Sequence, residues 1–155
     1  MAVTLIAFSE SNEPVANVDL NKYAGSWYVI GYIATPFDEE WNHTIESYTL
    51  NKKSGYDIFT TYYIGDKQKE VHSKAFIEKN NPAKWKVQFI WPFRADYWII
   101  ELGEDYSYTV VGHPQHHFLY IMSRKPTMNE TLYDAIVERC KQKGYDTDKL
   151  RKQQQ

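Results

Sequence analysis

The chain contains very little cysteine, no long apolar run and almost no net charge, and each absence excludes a class of protein. Its 155 residues include one cysteine, Cys140, so an internal disulfide and a cysteine-based zinc site are excluded. No stretch approaches the roughly 20 apolar residues that a membrane-spanning helix needs. The formal net charge of −2 argues against nucleic acid as the main partner.

Recognisable catalytic motifs are also lacking. The sequence has no Ser/His/Asp order, glycine-rich phosphate loop or paired-carboxylate spacing, so we predict neither an enzyme nor a cofactor. His113, His116 and His117 cluster around Pro114 and raise the alternative of a metal or haem site. No cysteine or nearby carboxylate completes a ligand set, so a solvated loop is favoured and no metal is predicted.

The first residues leave the cellular location open. The segment from Met1 to Phe8 is apolar but lacks the Lys or Arg that leads a signal peptide. Two interpretations follow: a cytoplasmic protein, or a protein whose native export signal has been removed or replaced. In the second case we expect a periplasmic or outer-membrane-associated protein.

Aromatic residues, in contrast, are abundant: 13 Tyr, 7 Phe and 5 Trp make up 16% of the sequence. A single domain of this length buries about 70% of the surface that its unfolded chain exposes, which is enough for a core without disulfides. Aromatic side chains favour strands, and they also line pockets for apolar ligands.

Extended runs rich in β-branched and aromatic residues alternate with turn signals, a pattern typical of an antiparallel sandwich or barrel. The runs are Trp27 to Ile33, Thr44 to Leu50, Tyr56 to Ile64, Glu70 to Glu78, Lys84 to Trp91, Asp96 to Leu102, Tyr106 to Gly112 and His117 to Arg124. Because short loops join consecutive runs, we predict an all-β fold, an eight-stranded antiparallel up-and-down barrel. A closed barrel of eight strands is wide enough to hold one small ligand.

The pattern changes to a helical one after Pro126. Asn129 is a suitable N-cap, and apolar residues then recur at three- and four-residue spacing up to Cys140. We predict one C-terminal α-helix that packs outside the barrel over Val110 and Ile121. Cys140 is then a buried, inert thiol outside the barrel.

The two ends of the chain are predicted to flank one domain. Residues 1–17 are expected to form an N-terminal arm, and residues 18–150 the barrel domain. Residues 151–155 are assigned as a polar tail, and we expect the polar stretch from Asp146 to Gln155 to fray.

Gly25 and Trp27 open the first strand, and Arg124 ends the last one. A buried Trp needs a partner for its indole N–H, and an Arg stacked on its ring stabilises it by roughly 0.5–2 kcal/mol. We therefore predict a structural role for Gly25, Trp27 and Arg124, which close one end of the barrel.

These residues and their order resemble the lipocalin family over roughly residues 19–150. Gly25-Ser26-Trp27 matches the family's G-x-W motif, and Arg124 matches its third sequence block. Glu104-Asp105-Tyr106 lies where the family's T-D-Y turn falls, with Glu in place of Thr. Within the family the chain is most similar to the branch of bacterial outer-membrane lipoprotein lipocalins and apolipoprotein D, through Val87 to Phe93, Tyr97 to Ile100 and Met122 to Thr127. The resemblance implies a barrel that binds fatty acids, lysophospholipids or other lipids.

Counting by twos from Trp27 and Arg124 gives an apolar barrel lining with several tyrosine hydroxyls. The predicted ligand-binding residues are Val29, Tyr48, Ile58, Tyr62, Ala75, Val87, Phe89, Tyr97, Ile99, Phe118 and Tyr120, and the same count places Gly31, Thr109, Val111 and Met122 inside. Glu46 and Glu101 also fall on the inward count. A carboxylate there must pair, meet water at the mouth or take a proton, and we favour a position outside the barrel for Glu101.

The predicted function is the binding and transport or storage of a small hydrophobic ligand, a fatty acid or a lysophospholipid, with no bond made or broken. One alternative is a lipid-modifying enzyme on the same barrel that acts through Glu46 or a tyrosine. Another is a filled barrel that acts through its surface, for instance as a homodimer through Trp98 or the Pro92-Phe93 turn. Peripheral membrane association is left open in the same way.

Overall fold

The computed structural model describes residues 11–53 and 55–155, and the predictions for residues 1–10 lie outside this range. A short helix α1 (Leu20–Tyr23) precedes the strands, and a longer helix α2 (Glu130–Gln142) and a 3₁₀ turn (Thr147–Lys149) follow the eighth strand. The strands are β1 (Gly25–Ile33), β2 (Asn42–Leu50), β3 (Gly55–Ile64), β4 (Lys67–Glu78), β5 (Asn81–Ile90), β6 (Phe93–Leu102), β7 (Tyr108–Gly112), β8 (Leu119–Ser123) and β9 (Arg151–Lys152).

Strands β1 to β8 form a closed antiparallel barrel. Each pairs with the next along the chain, and β1 pairs with both β2 and β8. This confirms the predicted all-β, up-and-down fold. Strands β7 and β8 are shorter than predicted, because Tyr106 and His116 adopt positive φ angles of 57° and 66° that belong to turns.

A bulge in β1 changes which residues face the interior. The register shifts between Val29 and Gly31, and Tyr32 rather than Gly31 joins the core inside the barrel. Gly31 faces α2, where a Cβ atom would lie 2.4 Å from the hydroxyl of Tyr133. The prediction that Gly31 lines the interior is therefore wrong, because the extra residue of a bulge breaks strict alternation.

A second bulge, in β6, lies between Ile99 and Glu101. Glu101 consequently lies outside the barrel, where its carboxylate pairs with the guanidinium of Arg139 on α2. The preference for an outside position of Glu101 is confirmed.

The helix α2 packs on the outer face of the sheet, as predicted. Tyr133, Ile136 and Cys140 are buried in one cluster with Val110 and Ile121. Its N-terminus is capped by the side chain of Asn129. Among the helices of residues 11–53 and 55–155, none is long and apolar enough to cross a membrane.

The C-terminal residues extend the sheet. Strand β9 pairs with β1 at Gly31 and Tyr32, beyond the point where β1 separates from β2. The Gln155 side-chain amide then donates hydrogen bonds to the carbonyls of Val29 on β1 and Thr44 on β2, at 2.6 and 3.0 Å. The prediction that this polar tail frays is wrong, because its polar groups satisfy backbone groups that the diverging strands leave unpaired.

The described part of the N-terminal arm lies along the barrel, against β6 and the loop between β7 and β8. The Val15 amide donates to the carbonyl of Ile99 at 2.9 Å. The Asn12 side chain donates to the carbonyl of His113 and accepts a hydrogen bond from the hydroxyl of Tyr145. These contacts connect the arm to β6, to the loop between β7 and β8, and to Tyr145 after α2.

One end of the barrel is closed by Trp27, which is fully buried. Its indole nitrogen donates to the carbonyl of Tyr23 at 2.9 Å. The guanidinium of Arg124 lies over the indole, 3.7 Å from the ring centroid. Gly25 adopts a φ of 105° beside them, and a Cβ atom there would lie 3.2 Å from the Arg124 Nη1 atom. Any other residue at position 25 would be strained and would crowd the guanidinium.

Candidate functional site

The opposite end of the barrel opens on a cavity of about 560 Å³, within the range of roughly 300–1,000 Å³ that is usual for ligand pockets. Three connections surround it: the loop 34–41 between β1 and β2, the turn between β5 and β6, and the loop 113–118 between β7 and β8. The lining residues are Thr35, Pro36, Phe37, Asp38, Trp41, Glu46, Val87, Phe89, Ile90, Phe93, Arg94, Ala95, His113, His117, Phe118 and Tyr120.

The wall of the cavity is mainly apolar and aromatic. Val87 and Phe89 of β5 face Phe118 and Tyr120 of β8 and its preceding loop across the opening. These four are the predicted ligand-binding residues that the structure places on the cavity wall. Trp41 completes the wall from the β1–β2 loop.

The predicted residue Tyr62 supports this wall from behind. Its ring stacks on that of Trp41, with 3.7 Å between the ring centroids and an interplanar angle of 12°. Tyr62 is half-buried and is absent from the cavity lining. It therefore positions Trp41 rather than facing the cavity itself.

The loop 34–41 is held in place by the buried side chain of Asp38. One carboxylate oxygen accepts hydrogen bonds from the amide and hydroxyl of Thr35, at 2.7 and 2.9 Å. The other oxygen accepts from the hydroxyl of Tyr120. Because both oxygens are engaged, Asp38 fixes the loop as one wall of the cavity.

The half of the barrel nearest Trp27 is filled with side chains. Tyr23 lies 5.1 Å from Trp27 and 5.2 Å from Trp85, measured between ring centroids. Trp85 in turn stacks on Tyr97 with centroids 5.6 Å apart. Six predicted ligand-binding residues are buried in this core and are absent from the cavity lining: Val29, Tyr48, Ile58, Ala75, Tyr97 and Ile99. The barrel is thus filled at one end and hollow at the other.

Glu46 lies on the cavity lining, next to this filled half. Its Oε2 atom accepts hydrogen bonds from the hydroxyls of Tyr48 and Tyr97, which lie 2.6 Å from each other. Burial raises the pKa of the Glu46 carboxyl from 4.5 to about 7, the two tyrosine hydrogen bonds oppose that rise, and the Asp38 charge adds to it. Burial also raises the pKa of both tyrosines well above 10, so they remain protonated donors.

Basic side chains gather at the mouth. Arg94, His113 and His117 all belong to the cavity lining, and the two imidazole rings stack with centroids 4.3 Å apart. Burial and the neighbouring His117 lower the pKa of His113. His116 points elsewhere, with its Nε2 atom 2.8 Å from the carbonyl of Lys143. Within the described ranges, no three His, Cys, Asp or Glu side chains converge as a metal site requires.

Several residues of the site were missed by the strand count. The loop residues Phe37 and Trp41 and the β6 residue Ala95 line the cavity, although no strand pattern marks the first two. The one sequence signal for Phe37 and Trp41 is that two large aromatic residues lie in one loop. Such side chains are either exposed to water or pack over an apolar surface. Ala95 follows from the alternation of β6, two residues before Tyr97.

A barrel that is plugged at one end and hollow, apolar and open at the other has the architecture of eight-stranded barrels that can hold one small ligand. Solved structures share the barrel fold. Insecticyanin from the tobacco hornworm Manduca sexta matches with a TM-score of 0.74 over 96% of this chain and 87% of that chain, at 14% identity. Lobster apocrustacyanin A1 matches with a TM-score of 0.72 over 88% of this chain and 79% of that chain, at 19% identity. At these identities the likeness establishes the fold alone.

Sequence comparison gives the family. The model of the lipocalin-like domain matches residues 18–155. The outer membrane lipoprotein Blc of Vibrio cholerae is 31% identical over 149 residues, which cover 94% of this chain and 87% of the relative. The temperature-induced lipocalin-1 of Arabidopsis thaliana is 30% identical over 150 residues, which cover 90% and 81%. The chain therefore belongs to the lipocalin family, whose members bind small hydrophobic ligands, and the predicted resemblance is confirmed.

Proposed function

We propose that this protein reversibly binds a fatty acid or a lysophospholipid in the cavity at the open end of the barrel, and so transports or stores it. The observation that carries the proposal is the apolar cavity itself, bordered by Val87, Phe89, Phe118 and Tyr120. Each buried methylene group contributes about 0.8 kcal/mol, so an acyl chain gains most of its affinity from this wall. No covalent step is required.

The Arg94 guanidinium at the mouth, together with the hydrogen-bonding imidazoles of His113 and His117, supports an anionic head group at the entrance. Arg94, His113 and His117 belong to the cavity lining, and Arg94 and His117 are exposed. A carboxylate or phosphate placed beside them stays close to water and to a guanidinium that remains charged. Glu46 and Asp38 inside the cavity disfavour the opposite orientation, in which the anion enters first.

The rival function is an enzyme that acts on a lipid through Glu46 or a tyrosine. A general base must lie close to the proton that it removes, and Glu46 instead accepts from two tyrosines with its Oε2 atom. We expect Glu46→Gln to bind lipid. When lysophospholipids are incubated with Glu46→Gln or with the wild type, we expect neither protein to cleave the acyl ester bond. Turnover by the wild type that Glu46→Gln abolishes would favour the enzyme.

Filling the cavity provides the test of the proposed function. Ala95 lies on the cavity wall, and a phenyl ring there occupies space that an acyl chain needs. We expect Ala95→Phe to lower the affinity for hexadecanoic acid and for palmitoyl lysophosphatidylcholine by at least about tenfold, since the lost methylene contacts exceed about 1.4 kcal/mol. Titrations followed by the intrinsic tryptophan fluorescence, to which Trp41 at the border of the cavity contributes, would measure the effect.

The matched control adds the same ring outside the barrel. Glu70 is exposed on β4, next to Val71, which pairs with the buried Thr60. We expect Glu70→Phe to bind both lipids as the wild type does. Equal affinity of Ala95→Phe and Glu70→Phe would contradict binding in this cavity.

An apolar rim surrounds the mouth and supports contact with a lipid surface. Ile90, Trp91 and Phe93 at the β5–β6 turn are 59%, 81% and 75% exposed, and Phe37 across the opening is 48% exposed. A cluster of exposed apolar side chains marks a surface that binds a protein, a membrane or a ligand. We propose that this rim rests on lipid membranes while the ligand is exchanged, in keeping with the name outer membrane lipoprotein of the Vibrio cholerae relative and a periplasmic or outer-membrane setting.

Two substitutions test the rim. We expect the double variant Trp91→Ser and Phe93→Ser to sediment with phosphatidylcholine vesicles at least about tenfold more weakly than the wild type, because two large apolar side chains are removed. Phe59→Ser, which removes a half-buried ring from the barrel wall, is the control. Unchanged vesicle binding by the double variant, together with a changed size-exclusion volume, would instead make the rim a homodimer surface.

A further inference from the structure

The carboxyl of Glu46 is only half used by the protein. Its Oε2 atom accepts from the hydroxyls of Tyr48 and Tyr97. In the described part of the chain, no backbone or side-chain group hydrogen-bonds to Oε1. Oε1 is also not enclosed by protein atoms, unlike the buried polar atoms that have no partner. Oε1 therefore borders open space, and the open space beside Glu46 is the cavity.

Two hydroxyls that flank Glu46 are also unsatisfied. Thr60 lies directly opposite Glu46 in the register of β2 and β3, and Thr44 lies two residues before it on the same inward face. Both are at least 98% buried, and neither Oγ1 atom has a hydrogen-bonding partner among the described residues. Both hydroxyl oxygens are enclosed and neither threonine lines the cavity, so a ligand at this place would meet the Glu46 carboxyl and not these hydroxyls.

The other carboxylate of the cavity has no such capacity. Asp38 uses both oxygens, one for Thr35 and the other for Tyr120. Glu46 thus differs from Asp38 in offering a vacant acceptor at the inner end of an apolar space. A hydroxyl group fits that position, because it donates a hydrogen bond without bringing a charge into the barrel.

We propose that the inner end of the cavity recognises a hydroxyl group on an aliphatic chain, which donates a hydrogen bond to the Oε1 atom of Glu46. The inference rests on the proposed function, since it requires ligands to enter this cavity, and it narrows the ligand class. Either a long-chain alcohol enters with its hydroxyl first, or a hydroxylated acyl chain enters with its carboxylate left at the basic mouth. Ligands whose inner end is plain hydrocarbon contact the same apolar wall, but they donate no hydrogen bond to the Oε1 atom of Glu46.

Two matched pairs of probes test this recognition on the intact chain. Decanol is compared with decyl methyl ether, and ω-hydroxydecanoic acid with decanoic acid, by titration calorimetry. We expect the hydroxyl-bearing member of at least one pair to bind about tenfold more tightly, as one added hydrogen bond to a carboxyl group predicts. Preference in the first pair identifies the alcohol, and preference in the second identifies the hydroxylated acyl chain.

Variants of Glu46 assign the preference to this side chain. Glu46→Leu keeps the volume and removes the acceptor, so we expect it to bind both members of each pair equally. Glu46→Gln retains a polar group at the same place and should preserve at least part of the preference, and Glu70→Gln should preserve all of it. The wild-type probe pairs decide the matter even if Glu46→Leu does not fold.

The outcomes separate the two proposals. If the wild type binds the probes without preference for the hydroxyl, the carrier function stands and recognition by Glu46 is wrong. A preference that survives in a folded Glu46→Leu variant also overturns it. If no probe binds although hexadecanoic acid does, recognition by Glu46 is wrong. If hexadecanoic acid does not bind either, the proposed function fails, and this inference fails with it.

Discussion

Replacing Glu46 by Gln is expected to make the protein more stable at alkaline pH, by about 3 kcal/mol at pH 8. The folded protein holds the pKa of Glu46 at about 7, against 4.5 for an unperturbed carboxyl, and burial is the main cause. A raised folded-state pKa contributes stability below the unfolded value, and this contribution is lost as the pH rises through the folded value. Wild-type stability attributable to Glu46 therefore falls between about pH 4.5 and pH 7.

Gln removes this dependence without removing the acceptor for the tyrosines. The amide oxygen accepts from Tyr48 and Tyr97 as the carboxyl does, and the amide never ionises. We expect the free energies of unfolding of Glu46→Gln and wild type to agree near pH 4.5 and to diverge up to pH 8, as measured by urea denaturation. Glu70→Gln, at an exposed carboxylate, should follow the wild type throughout. Parallel curves for Glu46→Gln and wild type would show that Glu46 ionises normally in the folded protein.

Loss of Arg124 is expected to destabilise the barrel by about 3 kcal/mol, because several charge-assisted hydrogen bonds and a cation–π contact are lost together. The guanidinium donates to the carbonyls of Lys22, Tyr23 and Ala24 at 2.7, 3.1 and 3.0 Å. It also donates to the carbonyls of Ser26 and Tyr106. These bonds connect the end of α1, the start of β1 and the β6–β7 turn across the closed end.

Arg124→Met keeps an apolar cover over Trp27 and removes every one of these donors. We expect Arg124→Lys to recover about half of the lost stability, because an ammonium group donates to fewer carbonyls and lacks the planar fork. Urea denaturation of both variants measures the difference.

Arg94→Met is the matched control for Arg124→Met. The Arg94 guanidinium also lies 3.7 Å from a ring centroid, that of Phe76, but it is exposed and donates no hydrogen bond to the described residues. We expect Arg94→Met to cost less than about 1 kcal/mol. Equal losses for Arg124→Met and Arg94→Met would show that the carbonyl contacts of Arg124 contribute little.

The sequence predicted the barrel well because its signals are local and repeated. Alternation along β5 and the turn residues between runs identified the eight strands, and the apolar spacing up to Cys140 identified α2. The count failed where a bulge inserted a residue, as at Gly31. It also failed at the tail, because the pairing of β9 with β1 joins residues about 120 positions apart and leaves no local pattern.

The alternation of residues along the strands could not predict where in the barrel the cavity lies. Alternation shows which side chains point inward, but not how far each extends or how the space between them is shared. Trp85 and Tyr97 fill the half nearest Trp27, whereas the small Ala95 and the spacing of the loops leave the other half open. Loop residues such as Asp38 enter the site through contacts with Tyr120 that only the folded chain brings together.

Native mass spectrometry of the purified chain tests most directly whether the open half of the barrel holds a lipid. The wild type, as isolated or after incubation with hexadecanoic acid and palmitoyl lysophosphatidylcholine, is predicted to carry one lipid molecule per chain, which organic extraction releases and identifies. The Ala95→Phe variant is predicted to appear at the mass of the protein without bound lipid. A wild-type chain that shows only its bare mass after both incubations would contradict a ligand-binding cavity.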